Sequence, residues 1–125
     1  MKTLFWISVV YTFLLSFTMI GFGRIFMKHP PKNINSVYGY RTRMSSLNKE
    51  TWNFAHQYAG RFWVYSGTIN LCAALLLIII LRNTDCFETA ATYIIFAELI
   101  PLLLVIVFTE KALREKFDRN GQRKQ

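Results

Sequence analysis

The chain has 125 residues, a formal net charge of +8 and 53% hydrophobic residues. A soluble domain of this length would scatter its apolar residues at a helix or strand period. Here they fall into three blocks of about 20, the length that crosses a hydrocarbon core of ~30 Å, which excludes an ordinary soluble fold and leaves no room for a separate soluble domain.

Backbone groups in lipid must be paired within their own segment, so each block is expected to be a helix. The expected fold is an all-α integral membrane protein, a single three-span domain over residues 1–125. Its spans lie near 3–23, 62–81 and 89–109, with a motif loop at 28–61 and a basic tail at 110–125.

The first block follows Lys2. Its apolar run exceeds the about 7–15 residues of a signal-peptide core, so a retained helix is expected despite the small-x-small pattern at Gly21 and Gly23. Ser8, Thr12 and Ser16 recur every fourth residue. They either let a neighbouring helix approach and hydrogen-bond, or serve only their own backbone. Gly21, Gly23 and the pair Pro30-Pro31 are expected to end this helix by His29.

Between Pro31 and Ser46 no helical period persists. The expectation is an ordered, mostly irregular segment with a turn at Tyr38-Gly39-Tyr40, where Gly39 supplies backbone freedom. Ser45, Ser46 or Asn48 then caps a helix with Glu50 in its first turn. At about 100° per residue, Trp52, His56, Ala59, Trp63, Ser66 and Asn70 share a face expected to meet protein. Phe54, Tyr58, Arg61 and Tyr65 share the opposite face, expected at headgroup level. No breaker follows, so a short interfacial helix is expected to run on into the second span.

Arg82 to Glu88 reads as a short polar turn. The third block carries Glu98 near its centre and Pro101 one turn later, and Gly121 in the charged tail ends any helical continuation. Cys72 and Cys86 lack zinc-site spacing and are expected to be small apolar fillers or inert thiols.

Seven Lys or Arg lie between Arg24 and Arg61, six follow the third block, one lies in the 82–88 turn, and Lys2 stands at the amino end. Cytoplasmic segments carry the Lys/Arg excess, so the amino end is expected outside and the motif loop and carboxy end inside. Orientation and anionic headgroups account for cations beside spans, so direct nucleic-acid binding is not expected.

Glu98 is the most unusual intramembrane residue. Intramembrane carboxyls face a bundle interior or a polar cavity, so two readings stand: a proton or ligand site, or a carboxyl that holds helices together. Depth matching at about 1.5 Å per residue sets Glu98 level with Tyr11 and Thr12, and about one turn from Asn70. Glu98 is expected to bond one of these three. Three helices offer few ways to enclose Glu98 and Asn70, so a homo-oligomer is expected. His56 reads as a switch or metal ligand, or as a packed, hydrogen-bonded ring. Arg41 reads as a grip on a partner carboxylate or lipid phosphate, or as a tie from the loop to helix-end carbonyls. There is no Ser/Cys–His–Asp order, no paired carboxylates, no phosphate-cradling loop and no metal-ligand cluster in the sequence. No catalytic residue, metal or cofactor is therefore expected, and the chain is not expected to be an enzyme.

The pattern N-x-x-Y-G-Y-R-T, then Ser and Asn, then W-x-x-x-H, covers Asn35, Tyr38, Gly39, Arg41, Thr42, Asn48, Trp52 and His56. It resembles the SdpI family of small bacterial membrane proteins, most closely over residues 31–61. The resemblance implies a multi-pass protein of the bacterial cell membrane, acting in toxin immunity and/or signalling through a partner at its cytoplasmic loop. The family's namesake protects a Bacillus cell from a sibling-killing toxin and is thought to hold a transcriptional repressor at the membrane, so a repressor or a peptide toxin is the implied partner. The chain resembles only the carboxy-terminal three-span unit of that namesake, and has Arg43 where many relatives have Pro. Two other classes stand beside this one: a small oligomeric transporter or channel subunit using Glu98, and a structural accessory membrane subunit.

Overall fold

The computed structural model describes residues 2–124. It contains three helices, α1 (Lys2–Lys28), α2 (Lys49–Leu81) and α3 (Phe87–Lys116). All three are long and apolar enough to cross a membrane.

Helix α1 does not stop at its glycines. It runs through Gly21 and Gly23 to Lys28, just before the proline pair. A glycine inside a helix costs only about 1 kcal/mol, whereas proline removes a donor and blocks the preceding turn. The apolar block therefore understates the helix, and Pro30 sets its end.

Helix α2 is one uninterrupted rod, with no separate interfacial helix before the second span. Asn48 caps it: the Asn48 side chain accepts from the Thr51 N–H at 2.9 Å, and Thr51 Oγ1 accepts from the Asn48 N–H at 3.1 Å. This reciprocal pair satisfies two donors at the helix start. With 33 residues, α2 is about 50 Å long, well beyond a hydrocarbon core of ~30 Å. Lys49, Glu50, Asn53, His56, Gln57 and Arg61 all fall in its first thirteen residues, so by composition the surplus length belongs to that end.

Helix α3 is longer than its apolar block at both ends and carries Pro101 within it. Beyond Lys116 the charged tail turns back on itself. The Asp118 N–H donates to Gln122 O at 2.8 Å and the Lys124 N–H donates to Lys116 O at 2.9 Å. Gly121 does not stop a helix, since α3 has ended five residues earlier. It sits at φ +83°, and its carbonyl accepts from Asn48 Nδ2 at 2.7 Å. Phe117 at the start of this return is only 1% exposed and packs edge-on against Phe54. Phe54, on the face expected at headgroup level, packs beneath Phe117 and Lys116.

α1 packs most extensively on α2, and α3 leans on both. The outward faces are apolar, with Trp6, Val10, Leu14, Tyr65, Ile69, Tyr93, Phe96 and Ile100 all exposed. Inside, α1 buries Ser8, Thr12, Ser16, Met19, Gly23 and Phe26 along one stripe. Lipid tails are as apolar as any core, so such helices associate through close packing and hydrogen bonds. Small residues on this stripe serve both. Two apolar clusters close the bundle ends, one around Ile78, Phe87 and Ala91, the other around Phe26, Tyr40, Ala59, Val105 and Leu113. Cys72 and Cys86 are free and exposed, so neither fills the interior.

Candidate functional site

Two groups of polar side chains stand out: the motif loop at one end of the bundle and the Glu98 group within it.

The loop is assembled around Trp52 and His56, one turn apart on the buried face of α2. Trp52 is fully buried, and its Nε1 donates to Pro31 O at 2.8 Å, pinning the chain as it leaves α1. His56 is equally buried. Its Nδ1 lies 2.8 Å from Trp52 O, and its Nε2 accepts the Tyr40 N–H at 2.9 Å. These partners assign the neutral ring, with its proton on Nδ1. Burial pushes the His56 imidazole below the usual histidine value, partly offset by its bond to the Trp52 carbonyl. Phe26 meets the ring edge-on at 5.0 Å.

Gly39 sits at φ +107°, and a Cβ there would lie 2.6 Å from His56 Nε2. Both the conformation and the close approach require glycine. Tyr40, next in sequence, donates its phenol to Glu110 Oε1 at 2.9 Å, joining the loop to α3. Burial and the Glu110 carboxylate hold that phenol above the usual tyrosine range. Thr42 and Ser45 exchange side chain-to-backbone bonds at 2.9 and 3.2 Å, closing a tight turn before Asn48. The Asn35 side chain accepts from the Val37 and Tyr38 N–H groups at 2.9 and 2.7 Å, folding the outer turn. Arg41 is exposed and donates to Ser36 O, a carbonyl of the loop itself and not of a helix end.

Within the bundle, Glu98 is 3% exposed. Thr12 Oγ1 on α1 donates to Glu98 Oε2 at 3.1 Å, and Asn70 Nδ2 on α2 donates to Glu98 Oε1 at 2.9 Å. Asn70 Nδ2 also donates to Ser16 Oγ at 2.9 Å. One carboxyl thus ties all three helices. Tyr11 takes no part, because its phenol donates to Ile95 O at 3.2 Å. Ser8 bonds its own helix at Leu4 O. A single chain encloses Glu98, so that burial does not depend on a second copy. Among the described residues no three His, Cys, Asp or Glu gather where they could hold a metal ion.

Trp52 and His56 therefore meet Gly39 and Tyr40 of the motif in space, with Pro31 and Glu110 added by the fold. The model of the SdpI/YfhL protein family matches residues 32–110. The chain belongs to this family. "Uncharacterized protein YfhL" of Bacillus subtilis (strain 168) is 36% identical over 109 residues, covering 83% of this chain and 91% of that protein. No solved structure matches the chain. The family match takes in the motif loop, α2 and most of α3, and so includes Asn70, Glu98 and Glu110. It leaves out Thr12, Ser16 and the returning tail.

Proposed function

We propose that this SdpI-family membrane protein lies in the bacterial cell membrane with its amino end outside and its carboxy end cytoplasmic. In this reading it acts in toxin immunity or membrane signalling by binding a protein partner at its cytoplasmic loop. The observation that carries the reading is how the loop divides its residues. Trp52, His56, Tyr40, Thr42 and Asn48 are spent inward on hydrogen bonds and packing. Val37 is 84% exposed, Tyr38 40% and Ile34 39%, and Arg41 stands beside them. Aromatic and Arg side chains held on a fixed frame are the usual anchors of protein interfaces. A repressor suits this face, since the Lys/Arg distribution favours a cytoplasmic loop. The reading contains no catalytic step.

The test is expression in a toxin-sensitive strain, scored for protection and for retention of the repressor at the membrane, together with cysteine labelling of Arg123→Cys in a Cys72→Ala/Cys86→Ala background, which removes the two exposed native thiols. Protection with labelling only after the membrane is opened supports the proposal. Labelling from outside intact cells sinks the orientation, and absence of any protection or repressor response sinks the role.

The Glu98 group favours a second reading, a small transporter or channel subunit. Each carboxyl oxygen accepts one donor, and a protonated carboxyl could instead donate to Thr12 Oγ1 once that hydroxyl turns. Intramembrane carboxyls of this kind mark proton relays in other proteins.

A further inference from the structure

The returning tail creates a concavity that the family motif does not include. It has a volume of about 460 Å³ and lies between the end of α3, the tail and the motif loop. Arg43, Arg114, Arg119 and Lys124 line it, over a floor of Met44 and Phe117. All four cations are exposed, whereas Met44 is 8% and Phe117 1% exposed. Among the described residues, the ion pair present is Arg123 with Glu50, so none of the four is neutralised in that way. One acid, Asp118, also lines the concavity. Its Oδ1 is occupied by the N–H groups of Asn120 and Gln122 at 2.9 and 3.0 Å.

Four cations against one carboxylate leave the concavity net positive, which concentrates anions there. Depth decides which anion. Arg114 lies five residues beyond Thr109, where the apolar block ends, which is about 7 Å further along the helix. The headgroup layer adds roughly 5–8 Å to each side of the hydrocarbon core. Arg114 therefore stands at the level of lipid phosphates, and Arg43 and Arg119 line the same concavity. Guanidinium forks match phosphate oxygens in pairs, and an apolar floor accepts a glycerol backbone as free phosphate does not need.

We propose that this pocket binds the phosphate of an anionic phospholipid, with Arg114 and Arg119 as principal contacts, supported by Arg43 and Lys124. This site is separate from the exposed loop surface around Val37 and Tyr38.

The test uses the full chain in an uncharged maltoside detergent. Dioctanoyl phosphatidylglycerol is titrated and binding is read by native mass spectrometry and by thermal shift. Dioctanoyl phosphatidylcholine and inorganic phosphate form parallel arms. The Arg114→Gln/Arg119→Gln variant is compared with Arg61→Gln/Arg82→Gln, which removes two cations away from the pocket. The anionic lipid should bind the pocket variant about tenfold more weakly than wild type, the loss of one or two charge-assisted contacts, and should bind the control variant normally. Arg119→Gln alone, on an exposed turn, gives the same direction if the double variant melts early. Equal binding to all variants, or equal loss in both double variants, overturns the pocket. Inorganic phosphate binding as tightly as the lipid overturns the lipid source.

Discussion

Gly23 of α1 and Gly60 of α2 meet backbone to backbone. A Cβ on Gly23 would lie 2.6 Å from Gly60 O, and one on Gly60 would lie 2.5 Å from Gly23 O. The contact lies close to the loop end of the bundle, so the spacing of these two helices sets where Trp52 and His56 meet the chain leaving α1. Either Gly→Ala change should force the helices apart and cost about 1–3 kcal/mol, typical of overpacking. Gly21, with nothing within 4 Å of its Cβ position, is the control, and Gly21→Ala should be neutral or gain up to ~1 kcal/mol from helix propensity. Thermal melts in detergent read this, and equal shifts at positions 21 and 60 would contradict it.

Asn48 has two separable roles, the cap of α2 and the bond to Gly121 O in the tail. Loss of a cap costs about 0.5–2 kcal/mol. Asn48→Ala should therefore lower the melting temperature more than Asn48→Ser, which keeps the cap and loses only the tail bond. Limited proteolysis should release the tail from both variants at the same rate. A Ser variant as unstable as Ala would show that the tail bond, and not the cap, dominates.

Acid should loosen the loop. His56 is buried neutral, and its folded-state value lies below the ordinary one. The stability this ring contributes is fully present above about pH 6.5 and is lost as pH falls from there through the folded-state value, because the unfolded chain takes up the proton first. A proton on Nε2 would also face the Tyr40 N–H, removing its acceptor. Melting temperature should fall on acidification, and the slope should flatten in His56→Asn. An unchanged slope in that variant would contradict the assignment.

Glu98→Gln keeps the shape of the group and can still pair with Thr12 and Asn70 through its amide. Intramembrane hydrogen bonds average about 0.6 kcal/mol, so its effect on folding should be below ~1 kcal/mol. A large loss of activity at unchanged melting temperature would favour the proton-coupled reading. A drop of several degrees with activity retained per folded molecule would make Glu98 a helix tie alone.

Much of this arrangement is legible from run length and helix geometry. Apolar runs of about 20 locate the spans, and the cap candidates Ser45, Ser46 and Asn48 ahead of Glu50 bracket the start of α2 without singling out Asn48. Depth matching brings Glu98 near Thr12 and Asn70 because helix rise is fixed, but it cannot separate Thr12 from Tyr11, whose phenol reaches Ile95 O instead. The Gly23–Gly60 contact is hidden because a lone glycine reads as a weak helix breaker until its partner is known. Phe117 sits among charges and reads as part of a solvated tail, although it is buried against Phe54. The Tyr40–His56 bond depends on the path of an irregular segment, which no period describes.

Loop frame and loop surface can be separated in one measurement. Val37→Asp and Arg41→Ala change exposed side chains, whereas Trp52→Ala removes a fully buried one that pins Pro31. Loss of a buried Trp costs about 3–5 kcal/mol, and exposed changes stay within about 0.5 kcal/mol. Each variant should be scored for protection in the toxin-sensitive strain and for melting temperature in detergent. The account predicts that Val37→Asp and Arg41→Ala lose protection at near wild-type melting temperature, while Trp52→Ala loses both. Full protection by the two surface variants, or a melting shift in Arg41→Ala as large as that in Trp52→Ala, would contradict it.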